Sequence, residues 1–468
     1  MTSRTGLTAE RPSPPAIRRA AAESAARPAS DGVGALAWYG LAVLLTANFY
    51  GLVVRQMLNL IAPGLQSSFG FSDLQLGMLQ GLGMAVFACI ASYPMGWLAD
   101  RFGRRLLLAL GVACWSLATA LFAFQDSFGG LFAATIGIAI GEAGLAPIVF
   151  ALIPDLFPER QRNTANFIFY GGSLLGAGLG MALGGAMLQW LAGAHGMFPG
   201  WIAGIDSWRL AMMLIALPGP IFFLLVLTMP LGHHGGGAGS PTAADDAAPR
   251  DFIPYATAHW RTLACIFGSI FAMAVAMTSG LMWFPLALPR AFGIDPATVG
   301  VGLGTAITIA TIVGVLLAPL MLRLRRTDAG LDPVRAAAIF VALTPLPAAL
   351  LPFATSAFQA YAIAAVQGAL GIAASSLMPG VLQNLAPPHL RSRVLALLGI
   401  VNALALAASP LAIGWISGLI EGPRGMLYAI TIVSLPALVA SAILMAFAPG
   451  PYASTLRAIR PALLKDSL

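Results

Sequence analysis

The sequence predicts an all-α membrane protein of twelve transmembrane helices in two similar six-helix halves. Three observations carry that prediction. The chain of 468 residues is 58% hydrophobic and only 9% charged, and its mean hydropathy is +0.84, too apolar for a soluble core. Its apolar residues fall into runs about as long as a helix needs to cross a ~30 Å hydrocarbon layer. Its charges gather in short turns between those runs, where a chain leaves the bilayer and re-enters it.

Taken in order, residues 1–34 are rich in Pro, Ala and Arg and lack a central apolar block. They read as a disordered cytoplasmic tail rather than a secretory signal. Six runs follow within 35–230: Ala35 to Ala62, Leu74 to Leu98, Leu106 to Phe124, Phe128 to Ile153, Thr164 to Leu191 and Trp208 to Pro230. Residues 231–258 are Gly-, His-, Pro- and Asp-rich and read as a flexible cytoplasmic linker. A second set of six occupies 259–448, at about 259–289, 297–322, 335–354, 357–384, 393–420 and 425–448, and a basic cytoplasmic tail closes 449–468.

The net charge of +7 does not point to nucleic acid, because the basic residues lie in short loops. With both termini inside, 21 of the 25 Lys and Arg residues fall on tails and inner loops; only Arg209, Arg290 and Arg424 lie near the outside, and Arg55 lies within a span. That asymmetry predicts a multi-pass protein of the inner (plasma) membrane with both termini in the cytoplasm. Cys89, Cys114 and Cys265 sit in apolar runs without metal-ligand spacing, so neither disulfides, a metal nor a cofactor is expected. His233-His234 stands in a Gly-rich linker and reads as solvated. His195 and Asp206 could form a lid, although an ordinary polar loop is the simpler reading. A monomer is expected.

The turn after the second run reads GWLADRFGRR. Together with the two-times-six layout it resembles the signature of the major facilitator superfamily, matching at Gly96, Leu98, Ala99, Asp100, Arg101, Gly103, Arg104 and Arg105. IGEAGLAP (Ile140 to Pro147), DLFPERQR (Asp155 to Arg162), WRLAMMLIALPG (Trp208 to Gly219) and PPHLRSR (Pro387 to Arg393) are similar to stretches of Spinster-like transporters. The resemblance implies the major facilitator fold, two pseudo-symmetric bundles that rock about a midplane site. It also implies that Gly96, Asp100, Arg101, Gly103, Arg104 and Arg105 form a cytoplasmic latch between the halves. The chain departs from the branch in three places. Val54-Arg55 stands where Asp-Arg is usual, Thr135 where an Arg is usual, and the second half's counterpart of the signature, near Pro319 to Arg326, lacks its Asp.

Chemistry within the spans is sparse. Glu142 is the one acidic residue placed deep in a run and Arg55 the one basic residue. An isolated charge in hydrocarbon costs ~2.5–3.5 kcal/mol on insertion scales, so the two are expected to face each other. Arg stays protonated, and only Glu142 can titrate, which makes the pair a candidate for proton coupling. A purely architectural ion pair is the alternative.

Helical spacing adds Asn48 and Asn59 to the stripe of Arg55. Asn166, Tyr170 and Ser173 form a stripe on the fifth run, and Gln80 lies in the second. Ser279 and Trp283 lie on the seventh, Gln367 on the tenth, and Asn402 and Ser409 on the eleventh. Each could be interhelical hydrogen-bond glue worth ~0.6 kcal/mol; as a set they predict a mixed polar and apolar cavity for a small-molecule or lipid-like substrate. Gly176, Gly178 and Gly180 read as close helix packing rather than a nucleotide loop. No P-loop is visible, and no second catalytic group stands near Glu142, so an enzyme is not expected. The resemblance then implies secondary active transport of an anionic amphiphile or organic anion. A multidrug exporter and a non-transporting membrane sensor are the rival readings.

Overall fold

A computed structural model describes residues 35–194, 199, 204–229, 252–324, 332–387 and 390–465. The histidines His195, His233 and His234 lie outside the described residues. Among the described residues, twelve helices are long and apolar enough to cross a membrane: α1 Ala35–Leu60, α2 Asp73–Ala99, α3 Arg104–Phe122, α4 Phe128–Val149, α5 Thr164–Ala194, α6 Ser207–Leu227, α7 Trp260–Phe292, α8 Pro296–Arg323, α9 Pro333–Phe353, α10 Ala357–Leu385, α11 Ala396–Ser417 and α12 Gly425–Phe447. Among the described residues the fold is all-α, with no strands. Its surface carries Leu117, Ile221, Leu316 and Ile443 about half or more exposed, as a lipid-facing surface requires.

Helix ends follow local chemistry. Ser72 opens α2 with a capping box to Gln75, and Ser127 and Ser356 cap α4 and α10. Asp332 caps α9, with Pro333 in its first turn. Gly293 ends α7 in the left-handed conformation at φ 67°. Breaks within spans lie beside two of the candidate polar groups. Helix α2 opens into a π turn at Met78–Leu82 that contains Gln80, and α4 is interrupted at Gly144, two residues after Glu142.

The two flanks of the second half are more ordered than their composition suggests. Phe252–Ala258, inside the segment read as flexible linker, is helical, and so is Pro449–Lys465, read as tail. Both helices are pinned to the bundle. Tyr255 donates to the Leu385 carbonyl at 2.6 Å, and Thr455 meets Thr262 at 2.8 Å and His259 Nδ1 at 3.1 Å. Burial pushes the Tyr255 phenol up to about 12, so it stays a neutral donor. The apolar payload of these helices is short, which hides it from a search for long runs.

The halves meet along α5 against α8 and α2 against α11. Gly171, Gly178 and Gly185 share one stripe of α5, seven residues apart. A Cβ at Gly185 would lie 2.5 Å from the Val301 nitrogen and one at Gly300 2.7 Å from the Gly185 Cα; Gly304 and Gly178 meet Ala182 and Thr308 as tightly. At Gly171 the same stripe faces open space. Helix α11 repeats the contrast. Pro410 is 2.5 Å, through its carbonyl, from where a Gly77 Cβ would be, whereas Gly399, eleven residues earlier on the same stripe, touches nothing. The halves are therefore closed at the end away from the chain termini and diverge toward the terminal end. Gly176 and Gly180 face the other way, against Leu52 and Val53 of α1, so the α5 glycines serve packing on two sides. Replacing Gly304 by Val is expected to lower thermal stability by ~1–3 kcal/mol through overpacking, read as thermal unfolding of the purified protein. Unchanged unfolding would mean that the seam has slack.

Candidate functional site

Helix α1 carries Arg55 and the broken helix α4 carries Glu142, and packing brings them together. Arg55 Nη2 donates to Glu142 Oε2 at 3.0 Å. The two side chains differ in setting: Arg55 is 37% exposed and Glu142 10%. The second carboxylate oxygen, Oε1, is buried and has no partner. It faces Gly51, where a Cβ would lie 3.6 Å away. Val54 and Thr135, at the two positions that depart from the branch pattern, are buried, and Thr135 Oγ1 is turned to the Leu131 carbonyl.

One cavity adjoins this pair and a second lies farther into the molecule. A small one, about 10 Å³, is lined by Arg55, Asn59 and Gln80 with Met282 and Leu406 of the second half; it has room for about one water molecule. Its amides are held in place. Gln80 Nε2 donates to the Leu58 carbonyl at 2.7 Å, Asn59 Nδ2 to Gln56 Oε1 at 3.0 Å, and Gln56 Nε2 to the Ala177 carbonyl at 3.0 Å. The large cavity, about 490 Å³, lies mainly within the second half. Tyr170, Gln367 and Asn402, with Thr278, Ser375 and Ser376, contribute polar groups to a mainly apolar wall that includes Met273, Met277 and Phe284. The cavities are one helical turn apart: Asn402 and Leu406 are successive turns of α11, about 6 Å along its axis.

The polar set therefore divides rather than lining one crevice. Arg55, Asn59 and Gln80 share the small cavity; Tyr170, Gln367 and Asn402 share the large one. The others line neither. Asn48 Nδ2 donates to Ser173 Oγ at 2.8 Å, tying α1 to α5. Ser279 and Ser409 hydroxyls meet at 2.9 Å, tying α7 to α11. Trp283 is 1% exposed with its indole N–H unpartnered, and the buried Oδ1 of Asn166 also has no partner. The physical reason is helical rotation: spacing along one helix reports a shared face, not which neighbour that face meets. The mixed polar and apolar cavity is as expected, but spacing did not name the particular residues of its apolar wall. Met273 and Met277, four apart on α7, were its available signal.

At the signature turn, Gly103 has φ 95°, a conformation that favours glycine, while Gly96 faces open space. Arg104 Nη1 reaches Asp155 Oδ2 at 2.7 Å and Arg105 Nη1 the Met229 carbonyl at 3.0 Å, both within the first half. Arg101 lies over the rings of Trp97 and Phe102. The Asp100 side chain lies outside the described residues. Asp206, for which an ordinary polar loop is the simpler reading, accepts from Ser68 and the Trp208 indole at 3.0 and 3.2 Å.

Comparison with known proteins agrees with this architecture. The sphingosine-1-phosphate transporter SPNS2 of Mus musculus is 30% identical over 259 residues, covering 53% of this chain and 43% of the relative. Protein spinster of Drosophila melanogaster is 27% identical over 210 residues, 44% of this chain and 32% of the relative. Such matches span less than half of the relative's length; protein spinster homolog 3 of Mus musculus is matched over 76% of its length, at 26% identity and 83% of this chain. Among solved structures, a bacterial homolog of the human lysosomal transporter Spinster, in an inward-facing and unoccupied conformation, superimposes with a TM-score of 0.73. It is 19% identical, and the match covers 91% of this chain and 98% of that one. The Major Facilitator Superfamily description matches residues 44–408. With twelve spans in two bundles and that match over most of its length, the chain belongs to the major facilitator superfamily, and within it is similar to Spinster transporters.

Proposed function

We propose that this protein is a secondary active transporter that moves an anionic amphiphile or organic anion by alternating access, coupled to protons through Glu142. The reading rests most on one observation: the guanidinium of Arg55, partly exposed and lining a small cavity, is paired with a carboxylate that is otherwise buried. Arg55 can exchange that partner for a substrate's anionic group, and Glu142, left in a low-dielectric site, is then neutralised by a proton. Binding of the anion and uptake of the proton become one event. The large apolar cavity one turn away suits a hydrocarbon chain or an aromatic body. With Asn59 and Gln80 at the head and Tyr170, Gln367 and Asn402 along the body, one ligand spans both cavities.

The excess of basic residues at the terminal end supports a cytoplasmic location for both termini. The open side is then the cytoplasmic one, and the membrane is the inner (plasma) membrane. The similarity to sphingosine-1-phosphate transporters makes single-chain phosphate-bearing amphiphiles the first substrates to try.

The test is flux in proteoliposomes at two pH values with single-chain amphiphiles that differ only in head charge. Anionic chains are expected to cross in a pH-gradient-dependent way and neutral analogues not to cross. Equal flux of neutral or cationic apolar compounds would replace this reading with a multidrug exporter. Saturable binding without flux would replace it with a sensor.

A further inference from the structure

Two buried polar atoms beside the ion pair lack partners, and both border the same glycine. Glu142 Oε1 is one; the indole Nε1 of Trp115, on α3, is the other. A Cβ at Gly51 of α1 would lie 3.6 Å from Glu142 Oε1 and 3.9 Å from Trp115 Cζ2, and no other described helix comes within 4 Å of it. Cζ2 belongs to the ring edge that carries Nε1. Buried carboxyl and indole groups ordinarily find hydrogen-bond partners, and each costs free energy when left without one.

The two groups differ in freedom. Trp115 is fully buried. Its backbone nitrogen lies 2.6 Å from where a Gly141 Cβ would be, and the Gly141 carbonyl oxygen lies 2.8 Å from where a Gly111 Cβ would be. The α3–α4 seam therefore fixes the indole, whose ring also lies 6.2 Å from that of Tyr50. Glu142 has a long, flexible side chain and stands two residues before the interruption of α4 at Gly144. Of the two, the carboxyl is the one that can move. Other titratable groups on the helices around it are turned elsewhere. Tyr50 meets Ser116 Oγ at 3.1 Å, Cys114 Sγ faces the Gly137 carbonyl at 3.6 Å, Tyr170 lines the large cavity, and Cys89 and Tyr93 are exposed. Arg55 supplies the positive charge.

We infer that Trp115 is the positioning residue of the proton-loaded carrier: once Arg55 turns to an anion, Trp115 Nε1–H donates to Glu142 Oε1 and holds the neutral carboxyl away from the guanidinium. The inference rests on the proton-coupling reading above and not on the identity of the substrate. The indole transfers no proton. It replaces Arg55 as hydrogen-bond donor, so the buried carboxyl is not left without one when its ion pair opens. While the indole holds it, Glu142 does not compete with the anion for Arg55. Gly51 supplies the space this movement needs, because a side chain there would stand between carboxyl and indole.

The test is infrared difference spectroscopy of the full chain in nanodiscs between mildly alkaline and mildly acidic pH, with dodecyl phosphate as the anionic probe. The carboxyl C=O band that Glu142→Gln removes belongs to Glu142. Heavy-nitrogen labelling of the indoles identifies the Trp N–H band that changes with it. Trp115→Phe is expected to remove that indole signal and to move the Glu142 band to higher wavenumber, the position of a carboxyl without a donor. Gly51→Ala keeps both groups but sets a methyl between them, and is expected to move the band in the same direction; it decides the matter if Trp115→Phe does not fold. Arg55→Met is expected to show both signals on acidification without the probe, since its Glu142 has no guanidinium to return to. A Glu142 band that keeps its position in Trp115→Phe and in Gly51→Ala would overturn the role of Trp115 and leave coupling through Glu142 standing. A band that moves in Trp115→Phe with no indole signal in the unsubstituted protein would mark Trp115 as packing and also overturn it. No Glu142 band in either the unsubstituted protein or Arg55→Met would overturn both readings.

Discussion

Exchange of Glu142 for Gln is expected to abolish pH-driven accumulation of substrate in proteoliposomes while substrate-for-substrate exchange persists. Gln keeps the shape of the carboxylate and its ability to accept a hydrogen bond from Arg55, but it cannot bind and release a proton. Driven accumulation falls to the level of protein-free vesicles. Exchange needs only that the loaded carrier turn over, and Arg55 remains to hold the anion. The stability cost is small, about 1 kcal/mol, because Arg55 is 37% exposed and water beside it replaces part of the lost charge interaction. Retention of the full pH dependence would remove Glu142 from coupling and leave the pair as architecture.

Replacement of Arg55 is expected to be the more damaging change. Arg55→Met leaves the Glu142 carboxylate buried, with Oε1 already lacking a partner and Oε2 losing its only described donor. Breaking a buried pair by removing one member costs about 3–5 kcal/mol, because the remaining charge is uncompensated; the exposure of Arg55 places this case toward the lower figure. Adding Glu142→Gln to Arg55→Met is expected to recover most of that loss, since no charge is then stranded. Thermal unfolding of the two single variants and the double variant in one detergent forms the cycle that measures it. Simple additivity would show that the two side chains do not share their energies. Transport of anionic substrate is lost in both variants that lack Arg55, whatever their stability.

The span count, the position of the signature turn and the isolation of Arg55 and Glu142 within apolar runs were all legible along the chain. Each follows from a local property, the cost of placing a charge or an unpaired peptide group in hydrocarbon, which any window of about twenty residues reports. The short helices Phe252–Ala258 and Pro449–Lys465 were not legible, since such windows pass over brief amphipathic segments. Polar stripes on α1, α5, α7 and α11 could be drawn, yet their partners could not. Ser279 and Trp283 were read on one face, but Ser279 pairs with Ser409 and Trp283 is packed with no partner for its indole N–H.

Hydropathy and spacing settled that this chain crosses the membrane twelve times, and the signature turn and branch motifs pointed to the family; together they singled out the two ions that sit within it. The cost of a lone buried charge already set Arg55 and Glu142 facing each other, as they do at 3.0 Å; packing alone decided that the polar residues divide between a small cavity and a large one, and which end of the molecule is shut. The shut end shows why. Asp73 accepts there from Arg290 and Ser417, which are 217 and 344 positions away. Read one at a time they are ordinary charged or polar helix ends. Their meeting depends on how two bundles are tilted and rotated against each other, and that geometry is the sum of many glycine-tight contacts that no single segment encodes.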